Sequence, residues 1–405
     1  MKRGIVLLMG LLLMTSTAYA SQPTITGQYA VSIDAKTGDI LFDKNAHQRA
    51  FPASMTKVLT GILLLEHTKP GDRIAFSPKA LAEEKSNYQI EFQPGETVDR
   101  DTALMILMVL SANDMSYAIA EHVSGSVEAF AQLMNEKAQE LGAKESHFVT
   151  PNGLHDPNHY TTPYDMAMIG REALRYPELL HAMRTQRTTV TTSNQTVSIF
   201  NKAKFFSDSQ CVGAKTGFTD QARNTLVKID RQGENEIVNV VMASHNPAIY
   251  EDMRLIANYA FPQFAKQSVL DQQTWTQQVS YLDKPVSLEL KQGYELSLKQ
   301  GEGKNVEAVF QPFEFNADKL YKEGIHKGEV LGQVELRKNG QTVGKVEAVS
   351  KEDVAFEKPI IKTVAEKTEA HPIWVVFVGA GILLLTFVAI VAIRGRKRRV
   401  VVYRR

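Results

Sequence analysis

Between residues 28 and 41 apolar and polar positions alternate, and the alternation breaks at Asp34-Ala35-Lys36-Thr37-Gly38-Asp39, which predicts a β-hairpin near the start of the folded chain. The period then changes. Over residues 55–67, Val58, Leu59, Ile62, Leu63, Leu64 and Leu65 leave almost no polar face, and a helix apolar on every side belongs in the middle of a domain. Residues 102–110 form a second apolar run, too short to cross a bilayer and cut off by Ser111-Ala112-Asn113-Asp114. Ser126 predicts the cap of a helix that runs to Leu141 and stops at Gly142, with Phe130, Leu133, Met134 and Leu141 as its buried stripe. Thr162-Pro163-Tyr164-Asp165 is another capping signature, with Pro at the first helical position. Residues 224–229 and 237–243 read as strands on either side of Gln232-Gly233, and 250–259 as a helix. Strands and helices interleaved in this way predict one mixed α/β domain over residues 21–264.

After residue 264 the texture turns to short alternating segments separated by turn residues. Lys338-Asn339-Gly340-Gln341 between two of them is a hairpin signal. Residues 265–351 are therefore predicted to form a small, mostly β domain, and no catalytic constellation lies in it. Residues 352–372 read as a charged, Pro-containing spacer. The two ends differ again. Met1-Lys2-Arg3, an apolar stretch over 5–14 and the small residues of Ala18-Tyr19-Ala20 predict a secretory signal peptide, residues 1–20. Residues 373–393 carry no charge, and at about 1.5 Å per residue they reach about 31 Å, the thickness of a hydrocarbon core. Trp374 sits at one edge of this span, and a basic tail, residues 394–405, follows the other, which predicts that the tail stays in the cytoplasm. The chain is thus expected to be exported, to fold on the extracytoplasmic side, and to remain in the cell membrane through a single C-terminal transmembrane helix.

Composition sharpens this picture. With 43% apolar and 22% charged residues the chain is no disordered polymer, and one Cys excludes a disulfide scaffold or a Cys-rich zinc site. The overall charge of +1 hides an asymmetry. The two ends hold nine cations, so residues 21–393 carry 37 Lys and Arg against 45 Asp and Glu, a net −8. An acidic outer part disfavours nucleic acid as a partner. Cys211 is expected as a small buried hydrophobe. His155-Asp156 and His159 lie in a polar loop without a zinc-like spacing, and neither a metal nor a cofactor is expected.

The chemistry is concentrated in three short motifs. Ser54-Met55-Thr56-Lys57 opens the apolar helix, and residues three apart share a helical face, so Ser54 Oγ and Lys57 Nζ can meet in a protein interior. A hydroxyl needs a base to become a nucleophile, and lysine serves as that base only when burial or a nearby cation keeps it neutral. Read alone, the pattern equally describes an N-cap serine and a solvated lysine. Ser111-Ala112-Asn113 follows, with a hydroxyl suited to passing a proton and an amide suited to a substrate peptide group, both expected on a loop. Ser244-His245-Asn246 has the same form and is assigned no role. Lys215-Thr216-Gly217 comes third: the ammonium and hydroxyl suit a substrate carboxylate, and Gly217 lets a substrate backbone lie alongside a strand. The same tripeptide at Lys36-Thr37-Gly38 falls in the first hairpin turn and is assigned no chemistry.

Ser-x-x-Lys, Ser-x-Asn and Lys-Thr-Gly in this order resemble the low-molecular-mass penicillin-binding proteins, the D-alanyl-D-alanine carboxypeptidases of peptidase family S11. The resemblance runs from residue 25 to the C-terminus and includes Pro151-Asn152-Gly153-Leu154 and His159-Tyr160-Thr161. It implies a penicillin-binding, β-lactamase-like α/β (α+β) transpeptidase domain with a central antiparallel sheet and helices, then a small β domain and an anchor. It further implies hydrolysis of the terminal D-alanine from peptidoglycan stem pentapeptides, and acylation of the same serine by β-lactam antibiotics. Ser54 would be the nucleophile, Lys57 the general base, Ser111 the relay hydroxyl and Asn113 the substrate-amide contact. Lys215 and Thr216 would grip the terminal carboxylate, and the backbone N–H groups of Ser54 and Phe218 would form the oxyanion hole. Familiar members often carry His after Lys-Thr-Gly; Phe218 leaves the backbone role intact and puts a side-chain role in doubt. A DD-transpeptidase using an amine acceptor has the same motifs. A class A β-lactamase would not need the second domain and anchor, and a non-catalytic wall-binding protein would not need to keep Ser54, Lys57 and Lys215.

Overall fold

The computed structural model describes residues 21–85 and 89–358. The predicted signal peptide, transmembrane span and basic tail lie outside the described residues. Among the described residues no helix is long and apolar enough to cross a membrane. Contacts divide the chain into two units, Met1–Val354 and Ala355–Arg405, and both the α/β part and the β-rich part below belong to the first.

The alternation at the start becomes Tyr29–Asp34 (β1) and Ile40–Lys44 (β2), paired antiparallel. Their turn is closed by the Asp34 carboxylate, which accepts from Lys36 N and Thr37 Oγ1, and by Gly38 at φ +77°. Arg73–Ala75 (β3) and Thr97–Asp99 (β4) form a short ribbon, and Arg187–Thr191 (β5) and Thr196–Phe200 (β6) a hairpin. Cys211–Thr219 (β7), Arg223–Gln232 (β8) and Asn235–Ser244 (β9) meander back onto the first hairpin. The result is a five-stranded antiparallel sheet, β2-β1-β9-β8-β7, with β7 at its edge.

Side chains alternate across this sheet and explain the layers. Val238, Val240 and Met242 of β9 join a core with Val58, Leu59, Ile62 and Leu63 of Lys57–His67 (α1). The same cluster takes in residues of Pro78–Leu81 (α2), Arg100–Met105 (α3), Asn113–Ser124 (α4), Val127–Glu140 (α5), Pro163–Glu172 (α6) and Pro177–Arg184 (α7). Val241 and Leu226 join a second cluster with Ile249, Met253 and Ile256 of Ala248–Ala260 (α8), where Cys211 is also packed. The sheet therefore lies between a thick helical layer and a single helix. The capping signals operate as read: Ser126 Oγ accepts from Ala129 N, and Thr162 Oγ1 from Asp165 N.

The β-rich part pairs Phe264–Leu270 (β10) with Tyr294–Lys299 (β13). Gln277–Tyr281 (β11), Lys284–Leu290 (β12), Glu307–Pro312 (β14), Val330–Lys338 (β15) and Gln341–Ser350 (β16) form a sheet in the order β11-β12-β16-β15-β14. One helix, Ala317–Glu323 (α9), interrupts the strands. Asn339 and Gly340 both have positive φ, as an Asn-Gly hairpin turn requires. That turn is seated on the first hairpin. Lys338 Nζ, almost fully buried, reaches Asp39 Oδ2 at 3.0 Å and Glu302 Oε2 at 2.8 Å. Asn339 Nδ2 donates to Thr37 O and Asp39 Oδ1. Gln341 Oε1 accepts from Arg171, which also donates to Ala35 O and Lys36 O. The first Lys-Thr-Gly tripeptide thus serves as a seat for the β-rich part.

Candidate active site

The serine-lysine pair forms, but not on the helix that the pattern suggested. Ala53–Thr56 is a 3-10 turn, and α1 begins at Lys57. In a 3-10 turn residues i and i+3 eclipse, so the spacing that aligns Ser54 with Lys57 survives. Ala53 enters the turn at φ +50°, a left-handed conformation costly for a residue with a Cβ, next to the predicted nucleophile. The apolar run 102–110 also departs from a simple helix: α3 is followed by a π-turn, Ile106–Leu110, which leaves Ser111 at φ +58°. Asn113 was expected on a loop with Ser111; instead it is the first residue of α4, because left-handed Ser111 and extended Ala112 end one helical run and admit the next within two residues.

Lys57 Nζ is fully buried and lies 2.9 Å from Ser54 Oγ, 2.7 Å from Asn113 Oδ1 and 2.8 Å from Asn152 O. Burial first, and the charge of Lys215 second, hold its pKa well below the ordinary lysine range, with Asp114 pulling the other way. A neutral amine has two hydrogens and one lone pair. If those two hydrogens go to the two carbonyl oxygens, the lone pair is left for the Ser54 hydroxyl. Asn113 is engaged at its other end too, donating through Nδ2 to Glu84 O. Its amide, expected as a substrate contact, therefore also positions Lys57.

Lys215 Nζ donates to Ser111 Oγ at 2.9 Å and to Thr216 O at 2.8 Å. Burial lowers its pKa to about 7. Ser54, Ser111, Asn113, Lys215, Thr216, Gly217 and Phe218 line one cleft of about 710 Å³. All three motifs thus converge. Gly217 has a reason beyond the one expected: its missing Cβ makes room for the protein's own turn. A Cβ there would stand 2.7 Å from Ser54 N, 3.0 Å from Ala53 Cβ and 2.5 Å from Thr225 Oγ1. The Ser54 amide is thereby held against β7 one residue before Phe218, whose side chain is 54% exposed.

The sequence reading missed a strap behind the turn. Residues 149–159 supply Asn152 O to Lys57 and Pro151 O to Thr60 Oγ1. Gly153, at φ +82°, lies so close to Ala53 O that a Cβ would come within 1.9 Å. His159 Nδ1 accepts the N–H groups of Val149 and Thr150, so its hydrogen sits on Nε2 and is donated to Thr56 Oγ1 at 2.9 Å. Burial pushes this imidazole down to about 3, and it stays neutral. His155 meets the Phe51 ring edge-on. Among the described residues no group of three His, Cys, Asp or Glu is placed to hold a metal ion. The only signals for the strap were the stretches Pro151-Asn152-Gly153-Leu154 and His159-Tyr160-Thr161, which gave no role.

Residues 16–246 match the family model for D-alanyl-D-alanine carboxypeptidase, peptidase S11, and residues 264–355 match that of the penicillin-binding protein 5 C-terminal domain. The D-alanyl-D-alanine carboxypeptidase DacF of Bacillus subtilis is 29% identical over 367 residues, covering 86% of this chain and 93% of the relative. Penicillin-binding protein 5 from Haemophilus influenzae superposes with a TM-score of 0.60 at 27% identity, over 83% of this chain and all of that one. The Streptomyces K15 DD-transpeptidase superposes with a TM-score of 0.56 at 25% identity, over 60% of this chain and all of that one.

Proposed function

The chain belongs to the D-alanyl-D-alanine carboxypeptidase family, peptidase S11, and is a serine-type D-Ala-D-Ala carboxypeptidase; from that premise we propose how its residues carry the reaction and where it takes place. Ser54 Oγ attacks the carbonyl carbon between the last two D-alanines of a peptidoglycan stem pentapeptide while Lys57 Nζ takes its proton. The tetrahedral oxyanion lies between the N–H groups of Ser54 and Phe218. Its collapse breaks the C–N bond, and the proton held by Lys57 reaches the leaving amine through Ser111. Lys215 and Thr216 hold the terminal carboxylate meanwhile. Water then attacks the acyl-Ser54 ester by the reverse proton path and releases the shortened peptide. β-Lactams acylate Ser54 in the same way, and the ring-opened drug stays attached. No step calls for a metal or cofactor. The single observation that carries this reading is the fully buried Lys57 Nζ, within hydrogen-bond reach of Ser54 Oγ, Asn113 Oδ1 and Asn152 O at once.

Ser54→Ala should abolish both peptide hydrolysis and labelling by a fluorescent penicillin; retained labelling at the wild-type rate would refute the mechanism. A second reading, transfer of the acyl group to an amine, is favoured by the likeness to the K15 DD-transpeptidase. Incubating the full-length protein with a pentapeptide, with and without an amine acceptor, and weighing the products separates the two. The enzyme is further proposed to act outside the cytoplasm after loss of residues 1–20, held in the cell membrane by residues 373–393. Residues 21–264 form the catalytic domain in this reading, and 265–351 stand it off the membrane.

A further inference from the structure

The strap behind the Ser54 turn holds a buried polar group that the reaction does not use. Asn152 is fully buried, and its side chain is engaged at one end only. Oδ1 accepts from Leu154 N at 2.9 Å, whereas Nδ2 is buried with no hydrogen-bond partner. Exchanging the two ends would set an amide NH2 against the Leu154 N–H, donor against donor, so a flip does not relieve the orphan. A buried donor left without an acceptor costs about 1–3 kcal/mol, and a side chain without those hydrogens would avoid it. What the acceptor end does has to offset that cost.

The bond from Leu154 N to Oδ1 closes an Asx turn, a ring that contains the peptide group between Asn152 and Gly153. The oxygen of that same peptide group is Asn152 O, 2.8 Å from Lys57 Nζ. On its far side Gly153 holds φ +82° and donates its N–H to Thr150 Oγ1 at 3.2 Å. With the ring open, the peptide group is free to turn and its oxygen to swing off the amine. We infer that the Asn152 side chain is a positioning residue for the general base: by closing the turn to Leu154 N, it aims its own backbone carbonyl at Lys57 Nζ. Gly153 and Leu154 line the cleft, and Asn152 is not among the lining residues, so it acts through Lys57 rather than on the substrate. The role rests on the reading of Lys57 as the base and adds the group that holds it. An amide does this without charge. The charged and titratable groups around Lys57 are Lys215 on β7, Asp114 on α4 and His159 on the strap, whose imidazole stays neutral. A carboxylate at position 152 would close the same turn but bring a negative charge to the amine, and so favour its protonated form.

Single-turnover acylation of the full-length protein by a fluorescent penicillin, followed against concentration and pH, separates the saturating rate from the half-saturating concentration. Asn152→Ala loses the turn and should lower the saturating rate by roughly tenfold or more, with little change in half-saturation. Asn152→Ser, whose hydroxyl closes the same turn more weakly, should recover part of that rate. Asn152→Asp should keep the turn and move the acid limb of the profile up by about one pH unit or more, because Lys57 then gives up its proton only at higher pH. An Ala variant within twofold of wild type, a Ser variant no faster than Ala, a loss confined to half-saturation, or an Asp variant with an unmoved acid limb would overturn the role. If the buried carboxylate keeps Asn152→Asp from folding, the Ala and Ser variants decide by themselves. A wild-type protein that fails to acylate, or acylates with no acid limb at all, would instead strike the reading of Lys57 as the base.

Discussion

Replacing Gly217 by alanine tests the idea that this glycine exists to bring the Ser54 turn against β7. The new Cβ would meet Ser54 N at 2.7 Å, against about 3.5 Å for an ordinary contact, a shortfall of about 0.8 Å. Nothing nearby gives way cheaply. Thr225 Oγ1, at 2.5 Å, donates to Pro52 O and so belongs to the same turn, and the third neighbour is Ala53 Cβ. The strand and the Ala53–Thr56 turn must therefore part by most of that shortfall. Gly217 has no positive φ, so the effect is steric rather than conformational. A displacement near 1 Å at a reacting group costs about a hundredfold in rate, and overpacking costs about 1–3 kcal/mol in stability. Gly217→Ala is expected to acylate with a fluorescent penicillin roughly 30- to 100-fold more slowly in single-turnover experiments, with a lowered Tm. Acylation within twofold of wild type at unchanged Tm would sink the reasoning.

Two further outcomes follow from the protonation states. Lys57 must be neutral to act, so kcat/KM should fall in acid as pH drops through its lowered pKa; Lys215 loses its charge above about 7 in the free enzyme, so a carboxylate-bearing substrate should also show an alkaline limb, and one lacking the carboxylate should not. A carboxylate substrate without the alkaline limb would remove the Lys215 assignment, and the absence of any acid limb would remove that of Lys57. Thr56→Val and His159→Gln should each slow acylation by about tenfold or more by loosening the turn, without moving the acid limb, because His159 is already neutral; an acid limb that shifts in His159→Gln would mean that the imidazole titrates in the reaction.

Much of the fold could be read because local signals and global packing agree. The Asp34–Asp39 break, the Ser126 and Thr162 caps and the Asn339-Gly340 turn each state a backbone geometry that few other residues satisfy. The three motifs announced the cleft because their side chains meet in it. What stayed hidden acts through the backbone. Any residue has a carbonyl, so nothing in the letters says that Asn152 O will hold Lys57. Nor does an apolar run reveal that Ile106–Leu110 will take a π-turn and leave Ser111 left-handed. Gly217 was read only as room for a ligand, and its letters do not say that a Cβ there would meet Thr225 on the next strand and Ser54 and Ala53 more than 160 positions earlier.

The seat of Lys338 between Asp39 and Glu302 has a mechanical corollary. Because that ammonium is pinned to carboxylates from both halves, Asn339 is bonded to the same turn, and Gln341 accepts from Arg171 of α6, the aim of the cleft is locked to the β-sheet beneath it. The α/β part and the β-rich part should therefore turn as one body, and cutting that seat is what would let the cleft tilt. Losing it should loosen the aim of the cleft without touching the Ser54–Lys57 pair itself.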